Sequence, residues 1–119
     1  MLKKIISLFL TVISFAAMAQ TVVEADKTEQ RNGIVYVKGE QAPFTGTVVV
    51  LFGTGQKQVE TPYLKGRQNG VETSWYPEGN IMMEITYRDG EFNGPYRVYY
   101  NKGGIEFEKI YSAGMMNGP

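Results

Sequence analysis

The stretch Tyr76-Pro77-Glu78-Gly79-Asn80-Ile81-Met82-Met83-Glu84-Ile85-Thr86-Tyr87-Arg88-Asp89-Gly90 decides the fold. Pro77 followed by Gly79 suits a type I turn closed by a left-handed glycine, a three-residue hairpin connection. Ile81 to Arg88 then alternates: Ile81, Met83, Ile85 and Tyr87 are expected on one face, and Met82, Glu84 and Thr86 on the other. Asp89-Gly90 is the strongest short-range hairpin signal.

Working outward, the same pattern returns every 24 residues. Gly46, Gly70, Gly94 and Gly118 keep that spacing, as do Gly55, Gly79 and Gly103. So do Phe52, Tyr76 and Tyr100; Glu60, Glu84 and Glu108; Tyr63, Tyr87 and Tyr111; and Gly66, Gly90 and Gly114. A period of this length marks an array of supersecondary units. Each unit holds two expected strands, the first at Thr47–Phe52, Val71–Tyr76 and Pro95–Tyr100, the second at Lys57–Leu64, Ile81–Arg88 and Ile105–Ser112. Their loops are too short for crossovers, so neighbours run antiparallel. The predicted fold is all-β: a single-layer antiparallel β-meander of tandem 24-residue β-hairpin repeats, at 46–69, 70–93 and 94–117. Residues 33–45 read as a cap strand, Gly33 to Gly39, with a linker carrying Pro43. Gln20 to Asn32 is polar and reads as a flexible segment. The closing Asn117-Gly118-Pro119 matches Asn93-Gly94-Pro95, so the array stops where a further unit would open, which predicts either an exposed edge strand or a longer chain.

The first 19 residues stand apart. A basic start, Lys3-Lys4, leads into an apolar run from Ile5 to Ala16, and Ala17-Met18-Ala19 is a small-x-small site. That order predicts a secretory signal peptide over 1–19. The run is shorter than the ~20 residues that span a bilayer, so no transmembrane helix is expected in the mature chain. The mature protein would be periplasmic or secreted. With 12 basic and 12 acidic residues in all, loss of Lys3 and Lys4 leaves a net charge of −2. That argues against nucleic acid, which calls for a basic face. The absence of cysteine means that no disulfide reinforces so small a sheet.

Chemistry is sparse in this chain. Without His or Cys there is no imidazole base, no Ser-His pair and no thiolate. No glycine-rich turn opens a helix, so no phosphate loop is expected. The acid column Glu60, Glu84, Glu108 would place carboxylates two strand spacings, about 9.5 Å, apart. That is too far to share one cation with ligands at about 2.4 Å, and too far for a retaining glycosidase pair at about 5 Å. An inverting pair, at roughly 6.5–9.5 Å, is just within reach, but an open sheet offers no pocket to raise one pKa. The chain is therefore expected to be no enzyme, with no catalytic residue, metal or cofactor. The aromatic columns are the candidate binding residues: Phe52, Tyr76 and Tyr100, with Trp75 and Tyr99 adjacent on the opposite face. Aromatic ladders also substitute for a missing second layer, so a packing role stands beside the binding one.

Tyr76-Pro77-Glu78-Gly79-Asn80, Glu84, Tyr87-Arg88-Asp89-Gly90 and Asn93-Gly94 resemble the bacterial variant of the MORN repeat. Tyr36-Val37-Lys38-Gly39 with Pro43-Phe44-Thr45-Gly46 is similar to the opening of YwqK-family proteins, catalogued as antitoxins of toxin–antitoxin pairs. The resemblance covers roughly residues 33–119. It implies β-hairpin repeats serving as protein-interaction or lipid-proximal scaffolds, and an antitoxin-like neutraliser as a further role. Ser74-Trp75-Tyr76 with Gly79 is also similar to choline-binding cell-wall repeats, which imply aromatic cages for quaternary ammonium groups; those units are shorter and carry Trp in each, whereas Trp75 is alone here. The expected function is a non-catalytic module that binds or scaffolds a protein partner in the cell envelope, with a glycan- or lipid-proximal binding module as the alternative.

Overall fold

The computed structural model describes residues 21–117. The predicted signal peptide lies outside the described residues, as does Gly118. The architecture is all-β and mostly antiparallel. One nine-stranded sheet is ordered β1 (Val22–Glu24), β4 (Gly46–Leu51), β5 (Lys57–Leu64), β7 (Gly70–Trp75), β8 (Ile81–Arg88), β9 (Glu91–Tyr99), β10 (Ile105–Ser112) and β11 (Met115–Asn117), with the short β6 (Arg67–Gln68) paired to β5. A separate two-stranded sheet joins β2 (Thr28–Arg31) to β3 (Ile34–Val37).

Two kinds of turn set the register. At Lys65-Gly66, Asp89-Gly90 and Ala113-Gly114 both residues have positive φ, near 50° and then near 80°. That backbone matches strand twist and holds a two-residue hairpin. At the other end of the strands, the Gly55, Gly79 and Gly103 N–H groups donate to the carbonyls of Phe52, Tyr76 and Tyr100 at 2.9–3.0 Å. Each of these glycines sits at φ 90–99°. Each loop is thus a tight turn closed by a left-handed glycine, the feature that Gly79 after Pro77 predicts for the middle one.

Several expectations change. The segment read as flexible, 20–32, holds β1, a 3₁₀ turn (Ala25–Lys27) and β2. β1 lies parallel to β4, with Val23 opposite Val48, so the sheet is not purely antiparallel. The cap strand finds its partner inside the same segment: β3 pairs with β2 across Asn32-Gly33, with Arg31 opposite Ile34. Asn32 and Gly33 have φ 50° and 80°, making a fourth turn of the same kind. The single-layer reading fails at this end, because the β2–β3 hairpin stacks on the sheet. Val35, Phe44 and Val48 form its buried cluster, packed by Val23, Ala25, Val37 and Tyr63. The Val35 N–H donates to the Gly66 carbonyl, Phe44 N–H to Val35 and Gly66 N–H to Phe44, at 2.7–2.9 Å, which locks hairpin, linker and first turn together. Phe52, Tyr76 and Tyr100 fall just past their strands, at the first position of each loop. β9 starts earlier than predicted, because Glu91 and Phe92 pair back across the Asp89-Gly90 turn with Arg88 and Tyr87.

Burial thins along the sheet. Val49 and Ile85 are the other buried apolar residues, while β10 is exposed at all but Tyr111. Aromatic contacts replace a core there. Phe92 touches Tyr87, Tyr96 and Tyr111 at centroid distances of 5.0–5.6 Å, and Tyr96 stacks on Phe107 at 6.0 Å. Such pairs contribute about 1 kcal/mol each beyond their area.

Candidate functional site

The predicted binding residues gather at the loop end of the sheet. Trp75 stands opposite Ile81, Tyr99 opposite Ile105 and Leu51 opposite Lys57. At each pair the register shifts by one residue, between Ser74 and Trp75, between Ile105 and Phe107, and between Val50 and Leu51. A bulge inserts an extra residue and re-aims the side chains beside it. Ile81 therefore leaves the face of Met83, Ile85 and Tyr87, where strict alternation placed it, and joins Trp75.

The result is an apolar band with water on its outer side. Leu51 is 37%, Ile81 39%, Ile105 53% and Tyr100 56% exposed, while Trp75, Tyr76 and Tyr99 are half-buried. Sequence reasoning missed Ile81 and Ile105 as members of this surface. Their spacing, 24 residues apart and two beyond the loop glycine, was the available signal.

Not all the aromatics are free. The Tyr76 hydroxyl donates to the backbone carbonyl of Tyr99 at 2.7 Å, and its N–H donates to the Asn80 carbonyl at 2.8 Å. Asn80 Nδ2 in turn donates to the Asn101 carbonyl at 2.5 Å. Phe52 and Tyr100 hold their loops by N–H donation to Gln56 and Gly104. Tyr76 thus braces two neighbouring loops, whereas Trp75 and Tyr100 present ring surface without a hydrogen bond of their own side chains among the described residues.

The acid column is engaged residue by residue. Glu60 pairs with Lys57 at 3.0 Å. Glu84 accepts the Tyr99 hydroxyl, and Glu108 pairs with Arg97. The strand register sets Arg97 directly between Glu84 and Glu108, so a cation separates two of the three carboxylates. The hydrogen bond to Glu84 raises the Tyr99 phenol above its ordinary range, and the ion pair with Glu108 raises Arg97 further. Among the described residues, no group of three acids or other ligating side chains converges as a metal site would require.

Below the band, Asn80, Ile81, Glu84, Tyr99, Lys102 and Gly103 line an open depression of about 310 Å³. It combines an aromatic wall with the Glu84 carboxylate, the Lys102 ammonium and the Asn80 carboxamide. On the opposite side of the sheet, burial and then the Glu72 charge push the Tyr87 phenol up to about 12 and also raise Tyr63. Glu72 itself accepts the Thr61 hydroxyl at 2.7 Å. These groups build the packed face.

No protein-family model matches the chain, and no curated protein or solved structure matches it either.

Proposed function

We propose that this chain is an exported, non-catalytic repeat module that binds a protein partner through the loop end of its sheet. The observation that supports the reading is the apolar row of Trp75, Ile81, Tyr99 and Ile105, in which Ile81 and Ile105 are exposed and the two aromatic rings half-buried, with Leu51 and Tyr100 exposed at the same end of the sheet. Contiguous exposed apolar and aromatic surface with a polar rim is typical of interaction sites. Lys102 and Glu84 supply such a rim, and Lys57 lies between Leu51 and Trp75.

The tandem arrangement is part of the same proposal. The N–H groups of Gly66, Gly90 and Gly114 donate to the carbonyls of Phe44, Gln68 and Phe92. Each acceptor lies 22 residues before its donor, so one bond recurs at one interval. Stacking of each turn on the preceding unit supports a MORN-type array, in which stability is a sum of neighbour contacts. Export rests on the basic, apolar and small-residue order of residues 1–19, and it places the partner in the envelope or outside the cell. An antitoxin-like role would make that partner a protein to be neutralised.

A second reading, a glycan- or lipid-proximal module, is favoured by the depression below Tyr99, whose mainly apolar wall carries Glu84, Lys102 and Asn80 as polar points for a sugar or a headgroup.

The test is affinity capture of residues 20–119 from cell-envelope extract, read by mass spectrometry. Trp75→Ala and Tyr36→Ala are run alongside. One dominant protein, kept by Tyr36→Ala and lost by a folded Trp75→Ala, supports the reading and locates the surface. No enriched protein, with a Tyr99-dependent response to cell-wall sugars, moves the function to the second reading.

A further inference from the structure

We propose that Asn32 is a site of spontaneous deamidation, with the Gly33 backbone nitrogen as the attacking atom. Asn-Gly occurs at 32–33, 69–70, 93–94 and 117–118. In such pairs the glycine nitrogen, after losing its proton to solvent base, attacks the asparagine Cγ. The N–Cγ bond forms, the Cγ–Nδ2 bond breaks, and ammonia leaves. Water then opens the succinimide at either carbonyl, giving aspartate or isoaspartate. The step needs only water, but it requires an unengaged glycine nitrogen, a free carboxamide and room to close the ring.

Exposure and room separate the described pairs, and an unengaged turn nitrogen marks Gly33 among the two-residue turns. At the three comparable two-residue turns, the glycine nitrogens are engaged: Gly66, Gly90 and Gly114 donate to carbonyls at 2.7–2.9 Å. The Gly33 N–H makes no hydrogen bond among the described residues, and no atom lies within 4 Å of where its Cβ would be. Asn32 is exposed, and its carboxamide also makes no hydrogen bond among the described residues. Asn69 and Asn93 are half-buried beside glycines held in strands. The Asn93 side chain accepts the Ala113 N–H at 3.2 Å. A Cβ on Gly70 would meet Pro62 at 2.9 Å and one on Gly94 would meet Thr86 at 3.1 Å, so neither backbone has space to reorganise.

Position gives the reaction a consequence. Asn32-Gly33 sets the register of β2 against β3, and isoaspartate adds a backbone carbon to that turn. The Val35 N–H, bonded to the Gly66 carbonyl, lies two residues beyond it. Conversion to isoaspartate therefore loosens the hairpin that covers the first turn of the sheet.

The experiment is timed incubation of the purified chain at mildly alkaline pH, with peptide mapping that resolves isoaspartate. Asn32 is expected to convert about tenfold faster than Asn69 or Asn93, because those two are half-buried beside crowded strand glycines and the backbone there must open first. The aged protein is then cut by protease within residues 28–37 faster than fresh Asn32→Asp, which keeps the turn. The mapped isoaspartate at position 32 grows with incubation and is absent from fresh protein. Equal conversion at 32, 69 and 93, or no isoaspartate at position 32, overturns the proposal.

Discussion

The Tyr76 hydroxyl donates a hydrogen bond of 2.7 Å to the backbone carbonyl of Tyr99, reaching across β8 from the end of β7 to the end of β9. One aromatic residue thereby fixes the spacing of two loops, and with it the separation of Trp75 from Tyr99. Tyr76→Phe is expected to cost about 1 kcal/mol of stability, the usual net loss for one hydrogen bond. Urea unfolding checks this. A partner contact carried by Trp75 should survive the change, because ring packing is kept.

The glycines are not equivalent. A Cβ on Gly66 would lie 2.2 Å from Ile34 Cγ2 and 2.9 Å from the Val35 carbonyl, at φ 82°. At Gly79, with φ 99°, nothing lies within 4 Å. Gly79→Ala therefore carries only backbone strain, on the order of 1 kcal/mol. Gly66→Ala adds a clash with the cap hairpin, and about 3 kcal/mol in total is expected. Comparing the two midpoints in denaturant tests whether the first turn is the closest-packed one.

Phe44 is buried in the cluster that binds the cap hairpin to the sheet. Phe44→Ala is expected to cost about 3–5 kcal/mol, and to expose residues 28–37 to protease before the rest of the chain. Loss of the whole sheet at the same protease dose would show instead that hairpin and sheet are one cooperative unit.

Most of the sheet was legible in the sequence, and the parts that were not have physical causes. Gly, Asp and alternating apolar residues act locally, so Ile81–Arg88 and its two turns could be placed from the chain alone. The bulges beside Leu51, Trp75 and Tyr99 could not, because Ile81 is as apolar as Met83 and Ile85, so the residue pattern shows no break where the backbone shifts by one. Ile81 was assigned to the wrong face for that reason. The N-terminal segment was missed because Val22–Glu24 is only three residues long and Thr28–Arg31 is short and polar, and their order comes from pairing with β4 and with Ile34–Val37. Asn32-Gly33 carried a hairpin signal equal to Asp89-Gly90, but it was hidden by the polar residues before it. At the candidate site, Trp75 and Tyr99 were visible as single aromatics; that Tyr76 serves the scaffold follows only from where its hydroxyl ends.

Alkaline titration should divide the tyrosines. Burial and the Glu72 charge hold the Tyr87 phenol at about 12, and Tyr63 and Tyr99 are raised as well. The folded chain keeps these protons more tightly than the unfolded chain, whose tyrosines ionise near pH 10. Their contribution to stability is thus complete below about pH 10 and is lost as pH climbs through the folded values. Absorbance of ionised tyrosine should show a late fraction that merges with the main one in denaturant. Tyr87→Phe should remove part of that late fraction. A single transition near pH 10 in the folded protein would contradict the packing of this face.

Hydrogen exchange should reveal a gradient along the sheet. β4 carries three buried residues, Thr47, Val48 and Val49, and the cap hairpin covers its neighbour. β10 has exposed residues at every position but Tyr111, and β11 pairs with it over only three residues. In a sheet where each strand leans chiefly on its neighbours, opening begins where burial is least. Amides of β4 and β5 are expected to exchange at least about tenfold more slowly than those of β10. A partner that docks on Tyr99, Tyr100 and Ile105 would order this weaker end, slowing β10 exchange while leaving β4 nearly unchanged. Uniform slowing across all strands would point to a partner bound at the cap instead.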